Sequence, residues 1–207
     1  MAAGPSPRVK ICGLTDPDHA VHAVRAGAWA IGLVFAPSSP RCVDMVTAGA
    51  IIDAVPEPAA RVGVFVDADL ELLLEAASLG LTHLQLHGRS DPTAARAATG
   101  LPVILGVPFT GPEAVAHPDA DAAELVLFDA AVPGAHGGTG RTLDWAALAA
   151  NRPDYPFGLA GGLRPENVRA AIGTVAPMVV DVSSGVESAP GRKDPALISA
   201  FMDAVHG

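Results

Sequence analysis

The segment FGLAGGLRPENV at residues 157–168 contains an apolar run, a glycine-rich loop and the start of a helix pattern, in that order. The segment MVVDVSSGVE at residues 178–187 begins in the same way, with an apolar run and then a loop of small residues. Neither run alternates with polar residues, which is typical of parallel strands that are covered on both faces. The two segments therefore predict consecutive strand–loop–helix units.

Runs of this kind recur along the whole chain, and Val, Ile, Leu and Phe predominate in them. Between them lie helix signals: Asp16, Asp91 and Asp194 each stand before a proline. Aspartate accepts from an unpaired N–H at the start of a helix, and proline at the first helical position loses no hydrogen bond. The predicted strands are Arg8–Ile11, Ala30–Phe35, Arg61–Val66, Thr82–Leu86, Val103–Val107, Leu125–Phe128, Phe157–Ala160 and Met178–Val182.

Eight strand–helix units in 207 residues predict an α/β fold, a single-domain (β/α)8 TIM barrel over residues 1–207. A doubly wound open sheet is the alternative. It is less favoured because no Gly-x-Gly-x-x-Gly follows the first strand. Polar residues also follow many strands, whereas an open sheet gathers its site at one switch point. The fifth predicted helix, near Gly111–Ala116, has the shortest pattern.

Composition excludes several classes of protein. The net charge is −9, from 13 basic and 22 acidic residues, which argues against a nucleic-acid binder or a membrane-surface protein. No apolar run approaches the ~20 residues of a membrane span. Two cysteines, Cys12 and Cys42, are too few for a disulfide framework, and the N-terminus lacks a secretory pattern. We therefore expect a cytoplasmic protein.

The first strand brings two chemically unusual side chains to one face. Because side chains alternate along a strand, Lys10 and Cys12 point to the same side, and we expect that side to be the barrel mouth. A thiol there is either a nucleophile or general base, or a small buried hydrophobe. Without a partner cysteine at metal spacing, no zinc site is predicted.

Three further strand ends carry polar residues. Arg41, in a proline-braced loop, is either a carboxylate or phosphate clamp or an exposed loop arginine. Gln85 and His87 share a face of the fourth strand, with a site role and a structural role both open. Asp129 follows the sixth strand as a candidate general acid or a loop aspartate. The glycine-rich loop His136–Gly140 after it is predicted to close over a ligand.

The loops after the seventh and eighth strands predict a phosphate site. Barrels commonly bind phosphate there through backbone N–H groups and a helix N-terminus, and glycine lets the backbone approach closely. Asp181 also lies at this mouth, where it is useful only if it faces groups other than phosphate. The predicted phosphate-binding residues are Gly161, Gly162, Ser183, Ser184 and Gly185.

Taken as an ordered set, these motifs resemble those of the phosphoribosylanthranilate isomerase family of tryptophan biosynthesis. The resemblance covers nearly the whole chain. The matching segments are KICGLT (10–15), GLVFAPSSPR (32–41), VGVFVD (62–67), LQLHG (84–88), GGTG (137–140), LAGGLRPENV (159–168) and VDVSSGVE (180–187) with PGRKD (190–194).

The resemblance implies an Amadori rearrangement of N-(5-phosphoribosyl)anthranilate with no metal or organic cofactor. It implies that Cys12 is the general base and Asp129 the general acid. Arg41 would hold the anthranilate carboxylate, the glycine loops the phosphate, and Asp181 the substrate near its ribose or ring nitrogen. Lys10, Gln85 and His87 are expected to contribute to substrate binding. The expected partner is this small phosphorylated molecule, and the expected oligomeric state is a monomer, with a dimer as the alternative.

Three other hypotheses remain. One is a histidine-pathway or bifunctional phosphoribosyl isomerase, but strand five ends in Val107-Pro108 with no carboxylate. Another is a non-catalytic phosphosugar-binding barrel, which the presence of both Cys12 and Asp129 disfavours. A structural or interaction protein has little support, because no exposed helical stripe is evident.

Overall fold

A computed structural model describes residues 6–130 and 142–207 of the chain. Eight parallel strands form a closed barrel in sequence order, with the last strand paired to the first. The predicted (β/α)8 barrel is therefore confirmed. The strands are β1 (Arg8–Cys12), β2 (Ala30–Val34), β3 (Ala60–Val66), β4 (His83–His87), β5 (Val103–Phe109), β6 (Leu125–Ala130), β7 (Phe157–Leu159) and β8 (Val179–Val182).

The helices begin where the sequence places their capping residues. Asp16, Asp91 and Asp194 each accept hydrogen bonds from backbone N–H groups in the first turn that follows. Asp44, Asp69 and Asp144 cap three more helices in the same way. The α-helices are α1 (Pro17–Arg25), α2 (Met45–Ala54), α3 (Leu70–Ala77), α4 (Pro92–Thr99), α5 (Trp145–Ala150), α6 (Val168–Val175) and α7 (Pro195–His206).

The fifth predicted helix is wrong as an α-helix. Two short 3-10 helices, Pro112–Val115 and Ala120–Ala122, stand between β5 and β6 instead. The apolar pattern there is too short to bury an α-helix face, and such segments commonly form 3-10 turns.

The sequence prediction also missed a small antiparallel hairpin after β8. It is made of β9 (Glu187–Ala189) and β10 (Arg192–Lys193), which are joined by a turn at Gly191. The turn is anchored from the first loop of the barrel, where Thr15 donates its hydroxyl to the Gly191 carbonyl at 2.7 Å. Pro40 packs against the same glycine, since a Cβ there would lie 2.6 Å from the Pro40 carbonyl oxygen. The hairpin thus joins the end of the barrel to its first two loops.

The alternating faces of the strands divide the core into layers. Val126 and Phe128 of β6 pack in the large cluster between strands and helices, whereas Leu125 and Leu127 pack in a second cluster inside the barrel. A third cluster, Cys12 with Val34, Ala36 and Val64, forms a layer near the carboxyl ends of the strands. Cys12 therefore faces the interior at the mouth, as its alternation with Ile11 predicted.

Candidate active site

A cavity of about 370 Å³ opens at the carboxyl ends of the strands. Ten of the twelve residues predicted for the site line it, and the other two, Lys10 and Gly185, lie beside it. The ten lining residues are Cys12, Arg41, Gln85, His87, Asp129, Gly161, Gly162, Asp181, Ser183 and Ser184. The topology therefore brings residues from distant parts of the sequence into one cavity.

At the wall of the cavity, Asp181 forms a buried ion pair with Lys10, which lies beneath the cavity. Their side chains stand at paired positions of β1 and β8, and Lys10 Nζ lies 2.9 Å from Asp181 Oδ1. Burial by itself lowers the pKa of Lys10, but the Asp181 carboxylate and Cys12 outweigh it and hold that pKa above its ordinary value. Lys10 is only 1 % exposed and does not line the cavity.

Cys12 lies two residues after Lys10 on β1, on the same face of the strand and closer to the mouth of the barrel. Burial raises the pKa of the Cys12 thiol, the Lys10 ammonium opposes this rise, and Asp181 adds to it. The thiol has room because Gly32 is its register partner on β2. A Cβ at Gly32 would come within 2.8 Å of Cys12 Sγ and 3.2 Å of Lys10 Nζ.

Asp129 approaches the cavity from β6, which extends two residues further than the predicted Leu125–Phe128 and so includes Asp129. Its Oδ1 accepts a hydrogen bond from the Ala130 N–H at 2.7 Å. Gly161 lies against it with a φ of +83°, a conformation that favours glycine. A Cβ at Gly161 would come within 2.7 Å of Asp129 Oδ1, so the glycine also keeps this carboxyl group accessible.

Gln85 and His87 form a polar pair on β4. Gln85 Nε2 lies 2.8 Å from His87 Nε2, and Gln85 is 2 % exposed. Its Oε1 has no hydrogen-bond partner in the described part of the chain. The imidazole ring lies over Gly106 of β5, where any Cβ would overlap the ring. The pair thus places an unused acceptor and an imidazole at the wall of the cavity.

Arg41 crosses the mouth to reach the hairpin. Its Nε and Nη2 each donate to a different oxygen of Glu187 at 2.7 Å. The side chain passes over Gly13, whose φ is +73° and where a Cβ would lie 2.5 Å from Arg41 Cδ. The hydrogen bonds to Glu187 raise the pKa of Arg41 further. The arginine is therefore held in a fixed position at the cavity wall and is not an exposed loop residue.

Lys193 joins this pair to the loop after β8. It faces Glu187 across the hairpin, with Nζ 2.7 Å from Glu187 Oε1, and it donates to the Ser183 carbonyl at 3.0 Å. Burial lowers the pKa of Lys193 despite the nearby carboxylate. Burial tends to raise the pKa of Glu187, but the hydrogen bonds from Arg41 and the charge of Lys193 hold it below its ordinary value. Glu187 and Lys193 were not predicted as site residues.

The glycine loop after β7 is braced by Asn167. The Asn167 side chain donates to the Gly162 carbonyl and accepts from the Arg164 N–H, both at 2.9 Å. No hydrogen bond within residues 6–130 and 142–207 uses the N–H of Gly161 or Gly162. Two backbone donors at the cavity wall are thus available to an anion, as is typical of phosphate loops.

The loop after β8 contributes Ser183 and Ser184 to the cavity. Gly185 instead packs against the preceding glycine loop, because a Cβ there would overlap the Leu163 carbonyl oxygen. It keeps the two loops in contact and does not itself line the cavity. The predicted glycine-rich loop His136–Gly140 lies outside the described residues.

The described residues contain neither a group of potential metal ligands nor a membrane-spanning helix. Within residues 6–130 and 142–207 taken together, no three His, Cys, Asp or Glu side chains lie close enough to one another to hold a metal ion. Among the helices of these same residues, none is long and apolar enough to cross a membrane.

A closed barrel with paired phosphate-type loops, a thiol and a carboxyl group at one mouth defines a (β/α)8-barrel enzyme of the kind that acts on small phosphorylated molecules. Comparison with known families is more specific. The family model described as N-(5'-phosphoribosyl)anthranilate (PRA) isomerase matches residues 9–204. The chain therefore belongs to the N-(5'-phosphoribosyl)anthranilate isomerase family.

Individual relatives match this chain over nearly their whole length. The chain is 45 % identical to N-(5'-phosphoribosyl)anthranilate isomerase of Rhodospirillum rubrum, over 95 % of this chain and 96 % of the relative. The crystal structure of phosphoribosyl anthranilate isomerase from Thermotoga maritima matches with a TM-score of 0.87 and 37 % identity, covering 96 % and 98 % of the two chains. A phosphoribosyl anthranilate isomerase in complex with reduced 1-(o-carboxyphenylamino)-1-deoxyribulose 5-phosphate matches with a TM-score of 0.84 and 36 % identity, covering 96 % and 98 %.

Proposed function

We propose that this protein is an N-(5'-phosphoribosyl)anthranilate isomerase of tryptophan biosynthesis. It would convert its substrate into 1-(2-carboxyphenylamino)-1-deoxy-D-ribulose 5-phosphate by an Amadori rearrangement. The observation that carries the proposal is that Cys12 and Asp129 line the same cavity from β1 and β6, which are not neighbours in the barrel. A ligand between them would meet a base and an acid on different sides.

The chemistry assigns one proton transfer to each group. Asp129, in its protonated form, gives a proton to the furanose ring oxygen, and the C1–O bond breaks to leave a Schiff base between C1 and the anthranilate nitrogen. This Schiff base acidifies the proton on C2, which the Cys12 thiolate removes. The enolamine then takes a proton at C1 and loses the proton of its C2 hydroxyl group, which gives the ketone. General acid–base steps of this kind each contribute about 100- to 10,000-fold in rate.

Recognition is divided between the two ends of the substrate. We assign the phosphate to the N–H groups of Gly161 and Gly162 and to the loop containing Ser183 and Ser184. Arg41 holds the anthranilate carboxylate, since a guanidinium matches a carboxylate in a charge-assisted pair. Gln85 and His87 would contact the ribose, and Asp181 would contact the substrate from above Lys10.

We propose further that residues 1–207 form one catalytic domain, that the protein acts in the cytoplasm and that it is a monomer. Light scattering on the purified protein would distinguish a monomer from a dimer. Within the acid–base scheme, Lys10 contributes through its charge on Cys12 and Asp181.

The experiment that tests the function is a turnover assay of the wild-type chain on two substrates. We expect isomerisation of N-(5'-phosphoribosyl)anthranilate and little or no turnover of the histidine-pathway aminoaldose. Comparable rates on both substrates would indicate a bifunctional isomerase. Tight binding of the reduced product analogue without turnover would indicate a non-catalytic binding barrel.

A further inference from the structure

The hairpin after β8 carries a carboxylate that holds the proposed ligand-binding arginine. We propose that Glu187 is a positioning residue, which fixes the guanidinium of Arg41 so that its remaining N–H groups face the anthranilate carboxylate. The proposal rests on the assignment of Arg41 under the proposed function. It concerns a residue that does not line the cavity.

The donor inventory of Arg41 leaves one edge for a ligand. A guanidinium has five N–H donors in a planar fork. Glu187 takes one donor from Nε and one from Nη2, each at 2.7 Å. The outer edge, formed by Nη1 and the second N–H of Nη2, keeps three donors and matches a second carboxylate in the bidentate manner. The two hydrogen bonds to Glu187 therefore orient the guanidinium of Arg41 and leave three of its donors unused. Arg41 lines the cavity, so these donors are near a bound ligand.

Glu187 is itself held rigidly. Its side chain is 4 % exposed, and Oε1 also accepts from Lys193, whose side chain is fully buried. Lys193 is further bonded to the Ser183 carbonyl, and the hairpin turn is anchored by Thr15. The positions of the carboxylate clamp and of the loop after β8 are therefore set by one connected group of side chains.

The charge balance is consistent with a ligand-binding role. Two cations and one carboxylate leave the group of Arg41, Glu187 and Lys193 with one net positive charge, although the whole chain carries −9. The neighbouring Lys10–Asp181 pair is neutral. A local excess of positive charge thus stands at the wall of the cavity that meets an anionic ligand.

The same contact admits an opposite interpretation, in which Glu187 competes with the substrate carboxylate for Arg41. The two interpretations differ in sign. If Glu187 positions Arg41, its removal weakens binding of a ligand that has the carboxylate. If it competes, its removal strengthens that binding. We favour positioning because the contact uses the inner edge of the guanidinium and leaves the outer edge available.

The test is a double-mutant cycle of Glu187→Gln and Arg41→Ala, in which KM and kcat are measured on two substrates. One substrate is N-(5'-phosphoribosyl)anthranilate, and the other is its aniline counterpart, which lacks the carboxylate. We expect KM for the anthranilate substrate to rise at least about tenfold, with a smaller change in kcat. KM for the aniline counterpart should change less than about twofold. In an Arg41→Ala background, Glu187→Gln should have no further effect, because the two residues act on one contact.

Glu57→Gln is the matched control, since it also removes a carboxylate paired with an arginine, Arg61, and follows α2 at the opposite end of the barrel. It should leave both KM values unchanged. If Glu187→Gln does not fold, Glu187→Asp keeps the charge opposite Lys193 and should show a smaller rise limited to the carboxylate-bearing substrate. A fall in KM, or equal changes for both substrates, overturns the positioning role. Absence of wild-type turnover would instead contradict the proposed function itself.

Discussion

Lys10 Nζ and Asp181 Oδ1 lie 2.9 Å apart at paired positions of the first and last strands, where the barrel closes. Both side chains are buried, so the attraction between them is screened little by solvent. Cys12, two residues after Lys10, lies close enough for both charges to act on its thiol in opposite directions. This pair therefore links the two strands at the barrel closure, and its two charges act on the pKa of the proposed base in addition to the larger effect of burial.

The pH dependence of activity should respond oppositely to removal of each partner. Only the thiolate accepts a proton and burial raises the pKa of Cys12, so kcat/KM of the wild-type protein should rise with pH above neutrality. Lys10→Met removes a charge that lowers this pKa and should shift the rising limb to higher pH. Asp181→Asn removes a charge that raises it and should shift the limb to lower pH, whatever its effect on the maximal rate.

Profiles of kcat/KM against pH for the two variants would check this. Each variant leaves one buried charge uncompensated, so we also expect a loss of about 3–5 kcal/mol in the free energy of unfolding. Shifts of the limb in the same direction would contradict the assignment of the limb to Cys12.

The space above Gly106 should be required for the position of His87. Gly106→Ala places a methyl group where the imidazole ring lies, and the ring must move. We expect a lower kcat/KM and a loss of about 1–3 kcal/mol in stability, as for an overpacked core. Gly173→Ala in α6 is the control, because a Cβ there meets open space, and it should raise stability by up to about 1 kcal/mol. Thermal unfolding and steady-state kinetics on both proteins measure these effects; unchanged kinetics in Gly106→Ala would show that His87 is not needed in its present position.

The brace on the glycine loop should affect substrate binding more than the chemical step. Asn167→Ala removes hydrogen bonds to Gly162 and Arg164, at about 0.5–1.5 kcal/mol each. We expect KM to rise about tenfold with a smaller change in kcat, since the phosphate lies far from the reacting carbons. Asn151→Ala, which removes one hydrogen bond at the end of α5, is the matched control. A fall in kcat with unchanged KM would argue against a phosphate role for this loop.

Strand positions and helix starts were predictable because they depend on local patterns. Runs of apolar residues identified all eight strands, and Asp-Pro pairs identified the starts of α1, α4 and α7. The sequence also indicated that Lys10 and Cys12 share a face, because alternation along a strand is strict. The sequence did not indicate how far each side chain lies from the mouth of the barrel: Lys10 lies beneath the cavity and is buried. It also did not indicate that Asp129 lies within β6, because the length of a strand depends on its pairing with neighbouring strands.

Glu187 and Lys193 show more clearly which features of the site could not be predicted from the sequence. Each is an ordinary charged residue after β8, and no local pattern indicates that the two residues hold Arg41, which lies 146 positions before Glu187 in the sequence. One signal was present, because Pro190-Gly191 between them is a typical turn sequence. A turn there predicts that the flanking residues face each other, but their contact with Arg41 depends on closure of the whole barrel.

The central claim is that Cys12 and Asp129 are the base and the acid of the isomerisation. The most direct test is kcat of Cys12→Ala and Asp129→Asn on N-(5'-phosphoribosyl)anthranilate, with binding of the reduced product analogue measured in parallel to show that each site is intact. We predict that each substitution lowers kcat by at least about a hundredfold while the analogue still binds. Near-normal turnover in either variant would contradict the role assigned to that residue.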